Sequence, residues 1–154
     1  MPEYVYVDTD EEYAAAADLF REYATWLNID LGFQKFDEEL LNLKNIYAPP
    51  QGKIILSKTE NEFAGCIAIR KIDSVTAELK RMYVKPVFQH KGIGTGLLNK
   101  ALLQANEFGY KKIRLDTLSN MIPAIDLYKK NGFYEIPAYY YNPVKTAIYF
   151  EKFL

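Results

Sequence analysis

One cysteine, Cys66, and one histidine, His90, are all that the 154 residues contain of either type. A lone cysteine cannot form an internal disulfide or build a cysteine-based zinc site, and a lone histidine leaves little else to hold a metal, so none is expected. No stretch approaches the roughly 18 consecutive apolar residues of a membrane helix. The start Met1-Pro2-Glu3-Tyr4 has no cationic segment leading into an apolar one, so a soluble, cytoplasmic protein without a membrane partner is expected. Charge of one sign is missing too: the formal net charge is −1 and no block of like charges occurs, which removes the electrostatic basis for nucleic-acid binding. There is no internal repeat, low-complexity run or long linker. With 49% hydrophobic and 25% charged residues, the length suits a single domain spanning 1–154 with its own core.

The elements alternate as in a mixed α/β domain. Tyr4 to Val7 reads as a strand. Thr9 or Asp10 can cap a helix with Glu11 and Glu12 in its first turn and a buried stripe of Tyr13, Ala16, Ala17, Phe20, Ala24 and Leu27. After an irregular, glycine-containing segment from Asn28 to Lys35, which could cover a site, a second helix is expected from about Asp37 until Pro49-Pro50 ends it. Its apolar positions are Leu40, Leu43 and Tyr47. Lys53 to Ser57 and Glu62 to Arg70 look like a hairpin, and Asp73-Ser74 turns into a strand from Ala77 to Val84. A strand at Lys112 to Thr117, a helix at about Asn120 to Lys130 closed by Asn131-Gly132, and strands at Phe133 to Ile136 and Thr146 to Phe153 complete the chain.

Between the Ala77–Val84 strand and the next helix lies Gln89-His90-Lys91-Gly92-Ile93-Gly94. Pro86 stops the strand, and Ile93, Leu97, Ala101, Ala105 and Phe108 recur at helical spacing until Gly109. Glycines in a first helical turn let an anion approach the unpaired N–H groups there, where the helix dipole also favours negative charge. A phosphate-bearing cofactor is therefore expected. A Walker loop is excluded because Lys91 precedes its glycine and no Ser or Thr follows a Gly-Lys pair. A dinucleotide fingerprint fits poorly, because Gly92, Gly94 and Gly96 are spaced Gly-x-Gly-x-Gly.

Gln-x-x-Gly-x-Gly after a strand and before a helix resembles the acyl-CoA pyrophosphate loop of the GNAT superfamily of N-acetyltransferases. The segment Ala124 to Phe133, with Tyr128 and a terminal Gly132-Phe133, looks like that superfamily's late motif. The resemblance runs through nearly the whole chain and is most specific from Glu78 to Phe133. It implies an α/β (α+β) acyl-CoA N-acyltransferase fold, with a mostly antiparallel sheet of about seven strands flanked by about four helices. It implies acetyl-CoA as acyl donor, bound at Met82, Tyr83, Val84, Gln89, His90, Lys91, Gly92, Ile93, Gly94 and Thr95, with backbone groups near Met82 and Val84 meeting the pantetheine arm and thioester oxygen. Tyr128 is the implied general acid for the leaving thiolate, with core packing as its alternative role. Glu78, eleven positions ahead of Gln89, is the implied base, expected by simple alternation to share a face with Lys80, Met82 and Val84. Its alternative is an ion pair with Lys80 or Arg81. Met121 stands three residues before Ala124, where many relatives carry an asparagine, so that contact is not carried over.

The acceptor is expected to be a small-molecule or peptide amine. Trp26, Phe33, Tyr139, Tyr140 and Tyr141 fall in segments that flank the cleft in related folds and could wall it, or could pack a homodimer interface. Three activities share these features: direct acetyl transfer to a primary amine in a ternary complex, transfer of another acyl chain or to a hydroxyl, and a non-catalytic acyl-CoA sensor.

Overall fold

The computed structural model describes residues 2–154. Among these, seven strands form one sheet in the order β1-β2-β3-β4-β5-β7-β6. They are β1 (Glu3–Tyr6), β2 (Lys53–Thr59), β3 (Glu62–Lys71), β4 (Thr76–Val84), β5 (Lys112–Leu118), β6 (Tyr134–Ile136) and β7 (Ala147–Phe153). Every neighbouring pair is antiparallel except β4 and β5. That parallel pair is joined by α4 (Ile93–Glu107), which packs Leu97, Leu98, Ala101 and Ala105 against one face of the sheet beside α5 (Ile122–Lys130). The opposite face is covered by α1 (Asp10–Leu27), α2 (Phe36–Leu41) and α3 (Leu43–Ile46), with Ala16, Leu19, Phe20, Leu43 and Tyr47 buried there.

Local chemistry explains most boundaries. Thr9 caps α1 in a full capping box: its hydroxyl accepts from the Glu12 amide while the Glu12 carboxylate accepts from the Thr9 amide. Gly109 and Gly132 take positive φ where α4 and α5 end. The second helix is not continuous as expected. It starts at Phe36 and breaks at Asn42, whose side-chain amide donates to the Glu38 carbonyl at 2.9 Å and so competes with the helical ladder. The irregular segment before it contains a 3-10 turn, Leu31–Gln34, capped by Asp30.

β4 also departs from the expected simple alternation. Cys66 faces Tyr83 and Ala68 faces Lys80, so two β4 residues, Arg81 and Met82, stand opposite Ile67 alone. This is a β-bulge, with Arg81 at φ 60° in the left-handed region. The bulge inverts the alternation. Ala77, Leu79, Met82 and Val84 pack on the α4 side, whereas Tyr83 belongs to the α1 side. Glu78 and Lys80 therefore do not share a face with Met82 and Val84.

Arg81 is held by an ion pair from α2. Its Nη2 lies 2.7 Å from Glu39 Oε1 and its Nε 3.1 Å from Oε2, and both side chains are about 3% exposed. Tyr47 adds a hydroxyl to Glu39 Oε2 at 3.0 Å, and the Phe36 ring lies 5.1 Å from the guanidinium carbon. Burial alone would raise the Glu39 carboxyl, but the hydrogen bonds and charge of Arg81 outweigh it and hold it below its ordinary value. A carboxyl lowered by folding stabilises the native state above its unfolded pKa, about 4.3, and loses that contribution as pH falls through the folded value. Glu39→Gln, which leaves Arg81 charged and buried, is expected to cost about 3–5 kcal/mol in urea unfolding at pH 7. It should also flatten the acid limb of the stability curve; an unchanged midpoint would show that the ion pair does not hold the bulge.

Candidate active site

β4 and β5 pair only from Thr76 to Glu78 against Lys112 to Arg114, and then diverge. Which β4 groups face the gap follows from the hydrogen bonds at its two ends. The Val75 carbonyl accepts from Lys111 and Lys112 on the β5 side, and the Thr76 carbonyl accepts from Ile72 on the other side. At the far end the Lys85 amide donates to Ala64 on β3. Counting back by twos, Tyr83 also points to β3, while Val84 and Met82 point into the gap. Without the bulge the even-numbered Met82 and Val84 would have turned toward β3 like Thr76. One inserted residue thus gives the opening its main-chain donors and acceptors.

The opening is part of a cleft of about 480 Å³. From the expected cofactor set it is lined by Met82, Tyr83, Val84, Gln89, His90, Ile93 and Gly94, with Lys91, Gly92 and Thr95 on the same loop just beyond the wall. A 3-10 turn at Pro86–Phe88 leads into this loop. His90 and Gly92 have φ of 64° and 82°, a run of turns that leaves successive amides pointing outward at the start of α4. The amides of His90 to Thr95 have no acceptor among the described residues. Gln89 behaves differently: its amide is taken by the Pro86 carbonyl at 3.3 Å, and its side-chain amide donates to the Val84 carbonyl at 3.0 Å. It braces the strand end instead of adding an amide to the loop. Gly94 lies under Met82, where a Cβ would sit 3.3 Å from the methionine methyl. Gly96 serves packing, since a Cβ there would overlap the Tyr4 hydroxyl of β1.

Tyr128 projects from α5 into the cleft wall, its hydroxyl 3.5 Å from the Met82 sulfur and its ring against Phe133 and Phe150. Burial pushes the phenol pKa well up, so it remains protonated at neutral pH. Glu78 is not brought to the cleft wall. Its Oε2 accepts the Tyr139 hydroxyl at 2.6 Å and its Oε1 lies 3.9 Å from Lys80 Nζ and 4.0 Å from Arg70 Nε. Trp26 and Phe33 line the cleft, whereas Tyr139 and Tyr140 stand behind it in a cluster with Tyr149, their rings 5.4–5.8 Å apart. Tyr141 is exposed. Buried Cys66 donates to the Arg81 carbonyl at 3.1 Å, and burial raises its thiol, which fits a core residue.

Several cleft residues went unnoticed in the sequence. Asp116 on β5 accepts the Tyr140 hydroxyl at 2.8 Å, and Gln34 links three groups. Gln34 Oε1 accepts from Arg81 Nη1 at 2.8 Å and from Lys80 Nζ at 3.2 Å, while its Nε2 donates to Tyr140 at 3.0 Å. Arg114 and Asp116, two charges alternating with Ile113 and Leu115 on an interior strand, were a readable signal. Gln34 had none.

A seven-stranded mixed sheet that opens between its one parallel pair, beside a glycine loop with free amides, is the architecture of acyl-CoA N-acyltransferases. The structure superposes on an acetyltransferase from Streptococcus agalactiae with a TM-score of 0.81 at 22% identity, covering 99% of this chain and 98% of that one. It superposes on the PaiA N-acetyltransferase of Thermoplasma acidophilum in complex with coenzyme A with a TM-score of 0.75 at 22% identity, covering 100% and 99%. In sequence, the chain is 35% identical over 133 residues to an uncharacterized N-acetyltransferase of Schizosaccharomyces pombe, a match covering 85% of this chain and 82% of the relative. Residues 8–133 match the Acetyltransferase (GNAT) family, and the chain belongs to that family. It is an acyltransferase.

Gly92 is the loop position that geometry restricts most. A Cβ there meets nothing within 4 Å, so only the positive φ opposes substitution. Gly92→Ala is expected to cost about 1 kcal/mol of stability and to weaken coenzyme A binding in calorimetry as the loop amides turn away. Wild-type affinity in this variant would show that the loop does not hold the cofactor.

Proposed function

We propose that the protein is an acetyl-CoA-dependent N-acetyltransferase that passes the acetyl group directly to a primary amine held beside the donor. The observation that carries this reading is the opening between β4 and β5, continuous with the free amides of His90 to Thr95. Acetyl-CoA would supply a carbonyl carbon already activated by its thiolate leaving group, so the protein need only position and polarise it. The loop amides would hold the diphosphate. The main-chain groups of Met82 and Val84 would meet the pantetheine arm and the thioester oxygen, where one well-aimed N–H is worth about 3 kcal/mol as negative charge grows.

Tyr128 completes the reading as general acid. As the new C–N bond forms and the C–S bond breaks, its phenol donates a proton to the departing sulfur, and the nitrogen that has lost its lone pair gives up a proton in exchange. A second proton, from the incoming ammonium, leaves to solvent. The position of Tyr128 beside Met82 and its raised pKa support the role, because an ionised phenol would have nothing to give. Glu78 is poorly placed to take a proton directly, since both its oxygens are engaged by Tyr139, Lys80 and Arg70. We assign it to holding Lys80 and Tyr139 in place, with water removing the amine proton.

Acetyl-CoA titrated by calorimetry, and thiol release measured across a panel of primary amines, test the reading. Tyr128→Phe should keep the melting temperature and coenzyme A affinity, since the hydroxyl makes only one weak contact, and should lower kcat roughly a hundredfold. Undiminished kcat would remove the acid role; absence of acetyl-CoA binding would remove the whole reading.

A further inference from the structure

We infer that the acceptor is a primary amine whose positive charge sits on an apolar body of about aromatic size, and that Asp116 anchors its ammonium group. The inference rests on the transferase reading above. Among the described residues three charged side chains line the cleft, and two are paired where they stand: Arg81 with Glu39 at 2.7 Å and Lys80 with Glu78 at 3.9 Å. Asp116 has no ion-pair partner among the described residues. Its Oδ2 accepts the Tyr140 hydroxyl at 2.8 Å, which fixes the carboxylate, and no protein donor among the described residues reaches Oδ1. The charge left over in the cleft is therefore a single negative one, half-buried on the β5 side of the gap.

The remaining surface decides what accompanies the charge. The wall away from the glycine loop is made by Trp26, Leu27, Ile29, Leu31 and Phe33. An apolar body removes water from these side chains, whereas a second ionised group would be buried without a counter-charge. An acidic amine such as glutamate would find both cleft cations already bound to carboxylates and would meet Asp116 with like charge. Charge-assisted hydrogen bonding to a partly buried carboxylate is worth about a tenfold to hundredfold in affinity.

Trp26 is the only tryptophan in the chain, and its place in the wall makes intrinsic fluorescence a direct readout of acceptor binding. With coenzyme A present, 2-phenylethylamine is expected to bind at least about tenfold more tightly than 2-phenylethanol, which has the same body and no charge. Asp116→Asn, which keeps an acceptor for Tyr140, should erase that preference while leaving the affinities for 2-phenylethanol and coenzyme A unchanged, the latter confirming that the cleft is intact. In thiol release from acetyl-CoA, 2-phenylethylamine should be used far more efficiently than glutamate. Equal binding of amine and alcohol by the wild type, binding of neither, a preference that survives Asp116→Asn, or equal use of glutamate would each overturn the inference. Loss of thiol release with every amine, despite coenzyme A binding and a retained fluorescence preference, would instead strike the transferase reading alone.

Discussion

The buried pair between Arg81 and Glu39 fixes the β4 bulge, and the rest of the site depends on that bulge. A left-handed arginine in the interior of a strand is disfavoured by about 1–2 kcal/mol relative to the extended form, so the position persists only where its surroundings over-determine it. Glu39 does so with a two-point contact and is itself held by the Tyr47 hydroxyl, while Gln34 and Phe36 meet the guanidinium on other sides. Such a pair need not stabilise the fold more than an apolar pair of similar volume would. What it secures is one arrangement of the chain, because the cost of stranding either charge excludes a regular β4.

Two consequences follow from the same inserted residue. On the α4 side, Met82 and Val84 turn their main-chain groups toward β5 at the point where β5 has already diverged, so the ladder is exchanged for a row of groups available to a ligand. On the α1 side, Glu78 and Lys80 stay with the aromatic cluster of the chain's last third and away from that row. A strand without the bulge would put the same side chains on the same strand and build neither half of the cleft.

Much of this was legible in the sequence where a short-range rule decides the outcome. The Thr9 capping box, the glycines ending α4 and α5, the period of α4 and the loop before it all depend on residues within a turn or two of one another. The same holds for Tyr128, placed on its helix by spacing and by Gly132-Phe133. The bulge was not legible, since nothing in Lys80-Arg81-Met82 marks a left-handed residue and its cause lies 42 positions away at Glu39. The expected face shared by Glu78 with Met82 and Val84 failed for that reason: alternation counted correctly through Lys80 and then lost its parity. The break at Asn42 lay between these cases, because asparagine is a visible warning while the depth at which Leu43 and Tyr47 are buried is not.

Gln34 shows how the ion pair on one side of the cleft governs the carboxylate on the other. Two cations, Arg81 and Lys80, donate to its carbonyl oxygen, so the orientation of the amide is settled and its nitrogen must face Tyr140. Asn142 also donates to the Tyr140 oxygen, at 3.3 Å. With its oxygen accepting from both amides, the phenol has one proton left to direct, and that proton goes to Asp116. Asp116 therefore acts as an acceptor at this oxygen, and its other oxygen has no protein donor among the described residues. A polarity set where Glu39 meets Arg81 is thus carried through one amide and one phenol to Asp116, the only carboxylate lining the cleft among the described residues.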